Sequence, residues 1–346
     1  MVGVRETLRG RRSAWRLSPA GTLSVVLLSA IFVAPAFAQP LYFVTGGSLS
    51  EFRPEQAAQQ KADSFQAVPT ELPVHEFLGL TSDGKPLVSL GTPFLLDGMI
   101  SDSGVQIALL SPSGGVEKVI HENAVRAYPA PVGDAIALIH LDYTISLYRG
   151  DGSIEPVPVP GRTVLAAWSP DGGRLCLTAY PPDWSPHRMH NPDGPDDFLR
   201  LINNDLYLYD PGSGKITQLT HEPGYDYSGV FSPDGQRILF ISDRSGRGAF
   251  YVYDLTRGET TQLTNRAPGS YEVPIGRSDT IRWLARNDTI VYEAQEGSDV
   301  HAIRSLRGDG SSPRRLAYGR QPRVFDGGRK VAFLSPEGRV QTADLE

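Results

Sequence analysis

A repeated segment is the feature of this sequence that most narrows its fold. The run WSPDGGRL at 168–175 recurs as FSPDGQRI at 231–238. Residues 206–220 (LYLYDPGSGKITQLT) match residues 250–264 (FYVYDLTRGETTQLT) at 8 of 15 positions, 44 residues further along the chain. A repeat of this length indicates an array of similar structural units, each packed against the next.

Each copy of the repeat has the pattern of four short strands. The Ser-Pro-Asp-Gly segment favours a type I turn, so the strand before it must reverse direction. The run that follows, Ile238–Ile241, is apolar throughout, as expected of a strand covered on both faces. Residues 251–254 then predict a third strand, and the polar residues 260–264 predict a fourth at an outer edge. Four antiparallel strands per repeat predict one blade of a β-propeller.

Weaker copies of the repeat predict an all-β fold with six four-stranded antiparallel blades. Their third strands end at Ser111, Arg149, Asp210, Asp254, Ser305 and Asp344. The turn-rich composition, with 36 Gly and 28 Pro, favours short strands over long helices. The sixth copy ends after its third strand, so we expect a segment at Leu41–Val44 to supply the missing strand and close the ring.

The N-terminal residues have the pattern of a secretory signal peptide. Five arginines and one acid precede the apolar run 22–34, and Ala36-Phe37-Ala38 forms a small-x-small cleavage site. The sequence therefore predicts a signal peptide at 1–38, an N-terminal segment at 39–78 and the propeller at 79–346. We expect a periplasmic or secreted monomer without an integral membrane segment after cleavage.

Charge and cysteine content exclude several classes of function. Removing residues 1–38 takes away five basic and one acidic side chains, which leaves 28 basic against 38 acidic. A net charge near −10 opposes non-specific binding to nucleic acid, so no nucleic-acid partner is expected. The single cysteine, Cys176, excludes an internal disulfide framework and lies in an apolar run, where we expect a buried thiol.

The runs WSPDGGRLCLTAY and FSPDGQRILFISDR, together with the YD and TQLT strands, resemble the propeller repeats of the TolB family, which are related to WD repeats. The resemblance is specific over residues 160–265 and covers the propeller part alone. It implies an envelope protein that binds a partner. Some propellers of this type are metal-dependent polysaccharide lyases, which implies a second candidate activity.

An insertion at 181–204 is the strongest candidate for a recognition element. The third strands of blades two and three end 61 residues apart, well beyond the repeat length, which places extra residues between the second and third strands of blade three. Rigid scaffolds display function on such loops. We predict partner binding through an exposed Trp184 and three carboxylates, Asp193, Asp196 and Asp197. The alternative is a loop that only shields an apolar patch.

Two histidines in the same insertion are candidate metal ligands. His187 and His190 have ligand-like spacing, but Pro186 and Pro192 flank the pair and oppose a regular helix. Solvated loop histidines are the default interpretation, and a divalent metal is the only cofactor the sequence suggests. No nucleophile elbow, phosphate loop or dinucleotide motif occurs.

Two functions from different classes remain. The first is an exported non-enzymatic propeller that binds a protein or envelope component on its loop-bearing face. The alternative is a metal-dependent lyase or hydrolase that acts on a glycan at the tunnel mouth. Elsewhere, Asp243 and Arg244 are expected to pair and fix a loop. The two Arg-Gly-Asp-Gly runs, at 149–152 and 307–310, are expected to be hairpin turns.

Cleavage after Ala38 is a direct test of the predicted export. N-terminal sequencing of the protein from the extracytoplasmic fraction is expected to begin at Gln39, because the small-x-small site ends at Ala38. A full-length product recovered from the cytosol would contradict export.

Overall fold

A computed structural model describes the chain over most of the predicted propeller. The described residues are 41–45, 48–52, 66–70, 73–91, 94–96, 99–101, 106–111, 113–185, 203–245, 248–264, 280–296 and 300–345. The predicted signal peptide at 1–38 lies outside them. Within the described ranges, regular structure consists of β-strands and two short 3-10 turns, at Arg286–Asp288 and Asp326–Gly328. In that part of the chain, no helix has the length and apolar character needed to cross a membrane.

Antiparallel sheets follow one another along the chain. The first sheet contains β1 (Leu41–Thr45), β2 (Ser48–Phe52) and β3 (Gln66–Val68). Blade one contains β4 (Val74–Leu80) and β5 (Pro86–Leu90), then, beyond a hairpin of β6 (Phe94–Leu96) and β7 (Met99–Ser101), β8 (Gln106–Leu110) and β9 (Val116–His121). Blade two contains β10 (Ala124–Pro129), β11 (Ile136–His140), β12 (Ile145–Tyr148) and β13 (Ile154–Pro156).

The remaining blades repeat this order. Blade three contains β14 (Arg162–Trp168), β15 (Leu175–Tyr180), β16 (Asp205–Asp210) and β17 (Lys215–Gln218). Blade four contains β18 (Asp226–Phe231), β19 (Arg237–Ser242), β20 (Ala249–Asp254) and β21 (Glu259–Gln262). Blade five contains β22 (Ile281–Leu284), β23 (Thr289–Gln295), β24 (His301–Arg307) and β25 (Arg314–Tyr318). Blade six contains β26 (Arg320–Phe325), β27 (Lys330–Leu334) and β28 (Val340–Asp344). The predicted six-bladed β-propeller is confirmed.

The Ser-Pro-Asp-Gly segments form the turns predicted between first and second strands. The amide of Gly235 donates to the carbonyl of Ser232 at 2.8 Å, and that of Gly172 donates to Ser169 at 2.9 Å. Both glycines have positive φ, at 67° and 70°, which favours a residue without a Cβ. The Ser232 hydroxyl lowers the pKa of Asp234, which also accepts from the amide of Gln236. Asp234 therefore stabilises its turn.

Side chains between neighbouring blades form the core. The second strand of blade three, β15, is buried at all six positions. Between blades four and five, Leu239 and Phe250 pack in one cluster with Trp283 and Tyr292. Cys176 lies in the equivalent layer between blades three and four, and burial raises the pKa of its thiol to about 12. It is the buried thiol that the sequence predicts.

The N-terminal sheet lies between blades six and one. Phe43 of β1 is fully buried against Leu334 and Val340 of blade six. Tyr42 and Leu49 pack instead with residues of blade one. Among the described strands β1 pairs with β2, so the prediction that it pairs as the fourth strand of blade six is wrong. The two strands pair in antiparallel register from Leu41 with Phe52 to Thr45 with Ser48, and this local pairing takes the place of the long-range one. The domain boundaries at 38 and 78 stay predictions.

Substitution of Phe43 tests whether this sheet stabilises the ring. Phe43→Ala is expected to lower the free energy of unfolding by about 3 to 5 kcal/mol, because it removes a fully buried aromatic ring between two sheets. Urea denaturation measures the change. Val132→Ala, at a residue 58% exposed, is the control and is expected to change stability by less than about 0.5 kcal/mol. Equal midpoints for both variants would show that blades six and one hold together without the N-terminal sheet.

Candidate functional site

One face of the propeller carries two of the types of link between strands. In an antiparallel blade the links between second and third strands, and those from one blade to the next, emerge on the same side. We call this side the loop face. The link between β15 and β16 spans residues 181–204, and its described ends, 181–185 and 203–204, lie on the loop face of blade three.

The start of the insertion is fixed by aromatic packing. Trp184 stacks on Tyr180 with ring centroids 4.5 Å apart and an angle of 10°. Tyr143, from the equivalent link of blade two, meets Trp184 edge-on at 4.9 Å. Trp184 is only 7% exposed, so the prediction of an exposed anchor is wrong. Its large ring is covered because Tyr180, at the end of β15, and Tyr143, from the neighbouring link, pack against it.

Arg162 connects the same part of the insertion to blade two. It begins β14, and its Nε donates to the carbonyl of Pro182 at 3.0 Å. Its Nη1 donates to the carbonyl of Asp142 at 2.9 Å. One guanidinium therefore bridges the insertion and a neighbouring link. Planar guanidinium donors suit this role because several N–H groups point in fixed directions.

Side-chain amides fix the end of the insertion. Asn204 is 1% exposed, and its side-chain oxygen accepts from the amide of Asp226 at 2.8 Å. The side-chain oxygen of Asn203 accepts from the amide of Gly224, also at 2.8 Å. These bonds tie the last residues of the insertion to Gly224, in the link before blade four, and to Asp226, the first residue of β18. The insertion thus leaves and returns through fixed positions on blades three and four.

Two carboxylates lie where this segment enters the sheet. Asp205 accepts from the Thr220 hydroxyl at 3.1 Å and from Gln218 Nε2 at 3.0 Å. Burial raises the pKa of Asp205 to about 6, opposed by the Thr220 hydrogen bond, and the charge of Asp226 raises it further. Burial also raises the pKa of Asp226, opposed by hydrogen bonds to its carboxylate. Two buried acids in one region therefore hold protons more tightly than exposed acids would.

Arg244 compensates part of this negative charge. Its Nη2 lies 2.7 Å from Asp226, and its guanidinium packs over the rings of Phe240 and Tyr251 at 5.5 and 5.1 Å. The expected pairing of Arg244 with Asp243 is wrong, because Asp243 accepts instead from the amide of Tyr225 at 2.8 Å. Both residues still fix loops, through different partners. Nothing in the repeat pattern indicated the Asp226 partner, since it enters from another strand.

Most of the predicted binding residues lie outside the described part of the chain. These are His187, His190, Asp193, Asp196 and Asp197. Their roles, including the metal-ligand role of the two histidines, stay predictions. Among the described residues, no group of three or more His, Cys, Asp and Glu side chains is placed to hold a metal ion.

The other sequence candidates have structural roles. The Arg-Gly-Asp-Gly runs form matching hairpin turns, in which the amides of Gly152 and Gly310 each donate 2.8 Å bonds to the carbonyls of Arg149 and Arg307. Turn formation therefore explains their recurrence, as predicted.

The pH dependence of stability tests the environment of Asp205. The folded chain holds this proton up to about pH 6, whereas the unfolded chain releases it near its ordinary value of 3.8. The contribution of Asp205 to stability therefore falls as pH rises through this window. Asp205→Asn is expected to gain stability relative to the parent protein between about pH 4 and pH 7, measured by urea denaturation at each pH.

Asp151 provides a control of opposite sign. The backbone amide and hydroxyl of Ser153 lower its pKa, so Asp151→Asn is expected to lose stability relative to the parent as pH rises. A pH-independent difference for Asp205→Asn would show that Asp205 titrates like an exposed acid.

Comparison with known proteins supports the family resemblance. A segment of 182 residues, 50% of this chain, is 30% identical to the Tol-Pal system protein TolB of Helicobacter pylori (strain ATCC 700392 / 26695) and covers 37% of that protein. A segment of 205 residues, 57% of this chain, is 32% identical to the Tol-Pal system protein TolB of Wolinella succinogenes and covers 42% of it. The chain thus spans less than half the length of these relatives. No family model matches it.

A solved structure shares the fold over most of the chain. An oligogalacturonate lyase in complex with manganese superposes with a TM-score of 0.56 and 13% identity, over 86% of this chain and 78% of the lyase chain. At this identity the likeness shows the fold alone. The sequence matches confirm the resemblance predicted from the repeats: the chain is a β-propeller that is similar in sequence to TolB proteins over about half of its length.

Proposed function

We propose that this chain is an exported, non-enzymatic propeller that binds a protein of the cell envelope on its loop face. The observation that carries the proposal is the construction of the insertion at 181–204. Trp184 and Arg162 fix its start, and Asn203 and Asn204 fix its end. Ordering loop residues costs conformational entropy, so a long insertion with fixed ends is most readily explained by a use on that face.

The sequence relatives indicate the kind of partner. Both are named as proteins of the Tol-Pal system. A partner from the Tol and Pal components of the same organism is therefore the first candidate. The predicted signal peptide is consistent with a periplasmic site of action. The lyase alternative depends on His187 and His190, and it stays a prediction because no described residue supports it.

Replacing the middle of the insertion tests the proposal while keeping the residues that fix the two ends of the insertion. A short Gly-Ser linker in place of residues 186–202 retains Trp184, Arg162 and Asn203. We expect an unchanged melting temperature and loss of binding to the Tol or Pal component that binds the parent protein, measured by calorimetry with purified components. Retained binding would exclude the insertion as the contact. Binding of neither component to the parent would contradict a Tol-Pal partner.

A matched control separates contact from folding. Replacing the hairpin turn at 150–152 with another Gly-containing turn changes the opposite face and is expected to retain full binding, because the turn lies between the third and fourth strands of blade two. A large drop in melting temperature for the insertion variant would instead show that residues 186–202 stabilise the fold.

A further inference from the structure

The histidines of the described residues all lie at the loop face. His121 and His140 are the last residues of β9 and β11, and His301 is the first residue of β24. His75 is the second residue of β4, and His221 lies in the link between β17 and β18. Histidine is the side chain whose ordinary pKa places its charge change between pH 5 and 8. Acidification in this range therefore adds histidine charge to the loop face.

His121 and His140 contact each other where blades one and two meet. Their rings lie edge to face, with centroids 4.9 Å apart and an angle of 61° between their planes. The strands bring them together because Ala124, three residues after His121, pairs with His140. Two protonated imidazoles at this separation repel each other, so the contact favours a state in which at most one ring is charged.

The hydrogen bonds and the burial of this pair also favour neutral rings. His121 Nδ1 accepts from the amide of Asn123 at 3.0 Å, and a ring that carries a proton on both nitrogens cannot accept this bond. His140 Nε2 lies 2.7 Å from the hydroxyl of Ser146. Burial lowers the pKa of His140, the charge of His121 lowers it further, and the carboxylate of Asp142 opposes both effects. His140 therefore takes up its proton at a lower pH in the folded chain than in the unfolded chain.

His140 leads into the link that supports the start of the insertion. This link, residues 141–144, is closed by a bond from the amide of Tyr143 to the carbonyl of His140 and by one from the amide of His140 to the carbonyl of Thr144, both 2.9 Å. Tyr143 meets Trp184 edge-on, and its carbonyl accepts from the amide of Thr163 at 2.8 Å. A change at His140 therefore acts on the same short link that covers Trp184.

The backbone of Tyr143 is strained. Its φ is 62°, in the left-handed region that residues other than glycine rarely adopt. Such a conformation persists only where the surrounding contacts impose it. Here those contacts are the ring of Trp184 and the hydrogen bonds of the link. Repulsion at His140, directly before the link, therefore shifts the balance toward a different conformation of the link.

From these contacts we infer that His121 and His140 form a proton-sensitive switch that releases the start of the insertion when both rings are charged. The inference rests on the proposed function, since it gives the regulation of binding through the insertion. Above about pH 7 both rings are neutral and the link keeps its observed conformation. Below about pH 6 the two charges repel, the Asn123 bond is lost and Tyr143 supports Trp184 less well. The partner is therefore held at neutral pH and released in acid.

Hydrogen exchange tests the switch in the free protein. Exchange of the amides of residues 142–145 is followed by mass spectrometry in the parent and in His140→Gln, with both proteins at the same pH. We expect exchange about fivefold faster in the parent at about pH 5.5 and equal exchange at about pH 7.5, because glutamine cannot gain a charge. His121→Gln is expected to behave like His140→Gln, since it removes the other member of the pair.

Binding of the partner tests the consequence. The Tol or Pal component that binds the parent protein is titrated by calorimetry at about pH 7.5 and about pH 5.5. We expect the parent to bind about fivefold more weakly in acid and His140→Gln to change by less than about twofold, because only the parent can charge both rings.

Two control variants are expected to keep the pH response of the parent. His301→Gln removes a loop-face histidine from blade five, outside the contacts that connect His140 with Trp184. Asp205→Asn removes the other loop-face group that titrates in this range, a carboxyl whose pKa is raised to about 6. Loss of the response in either control would assign it to that residue and overturn the inference.

Several other outcomes would overturn the inference. Equal exchange of the parent and both histidine variants in acid would show that the link does not respond to the pair. Faster exchange without weaker binding would show that the link does not regulate recognition. If a Tol or Pal component binds equally at both pH values, the proposed function stands and this inference fails. If neither component binds at any pH, the proposed function fails, and the exchange measurement alone decides whether the pair is a switch.

Discussion

Every blade of this propeller is apolar on both faces, and this constraint governs the whole fold. The second strands show it most clearly, since β15 is buried at all six positions and β5 at all five. A sheet with two apolar faces needs a neighbour on each side, so blades are stable only in a ring that leaves no face open. The N-terminal sheet follows from the same requirement, because Phe43 and Tyr42 cover blades six and one.

Because packing occupies the faces of the sheets, the connecting loops can vary in length without a change in the core. Blade three shows how a long insertion can be added without disturbing its sheet. The pairing of β15 with β16 continues to Ala179 and Asp205, directly beside the insertion. Trp184 and Asn204 then tie its ends to the base of the loop face. The core and the displayed segment therefore depend on separate sets of residues.

The features that sequence could predict are those determined locally. The turn at Ser232–Gly235 and the strand after it depend on neighbouring residues, and the structure has both. The pairing of β1, the burial of Trp184 and the partner of Arg244 depend on residues distant in sequence. The repeat pattern did not indicate Asp205 and Asp226 as site residues, since each is the first residue of its strand, where the repeated sequence is least similar between copies. Only their positions beside the insertion could have indicated a shared environment.

The charged groups on the loop face affect the stability of the fold. Burial raises the pKa of Asp226 even though Arg244 lies beside it, so negative charge at the entrance to blade four is costly to maintain. Arginines on the first strands differ from Asp226, because guanidinium groups stay charged in almost any protein environment and cannot lose their charge on burial. Arg126 pairs with Glu76, and Arg162 donates to main-chain carbonyls, so the positive charge of each guanidinium has partners in the fold.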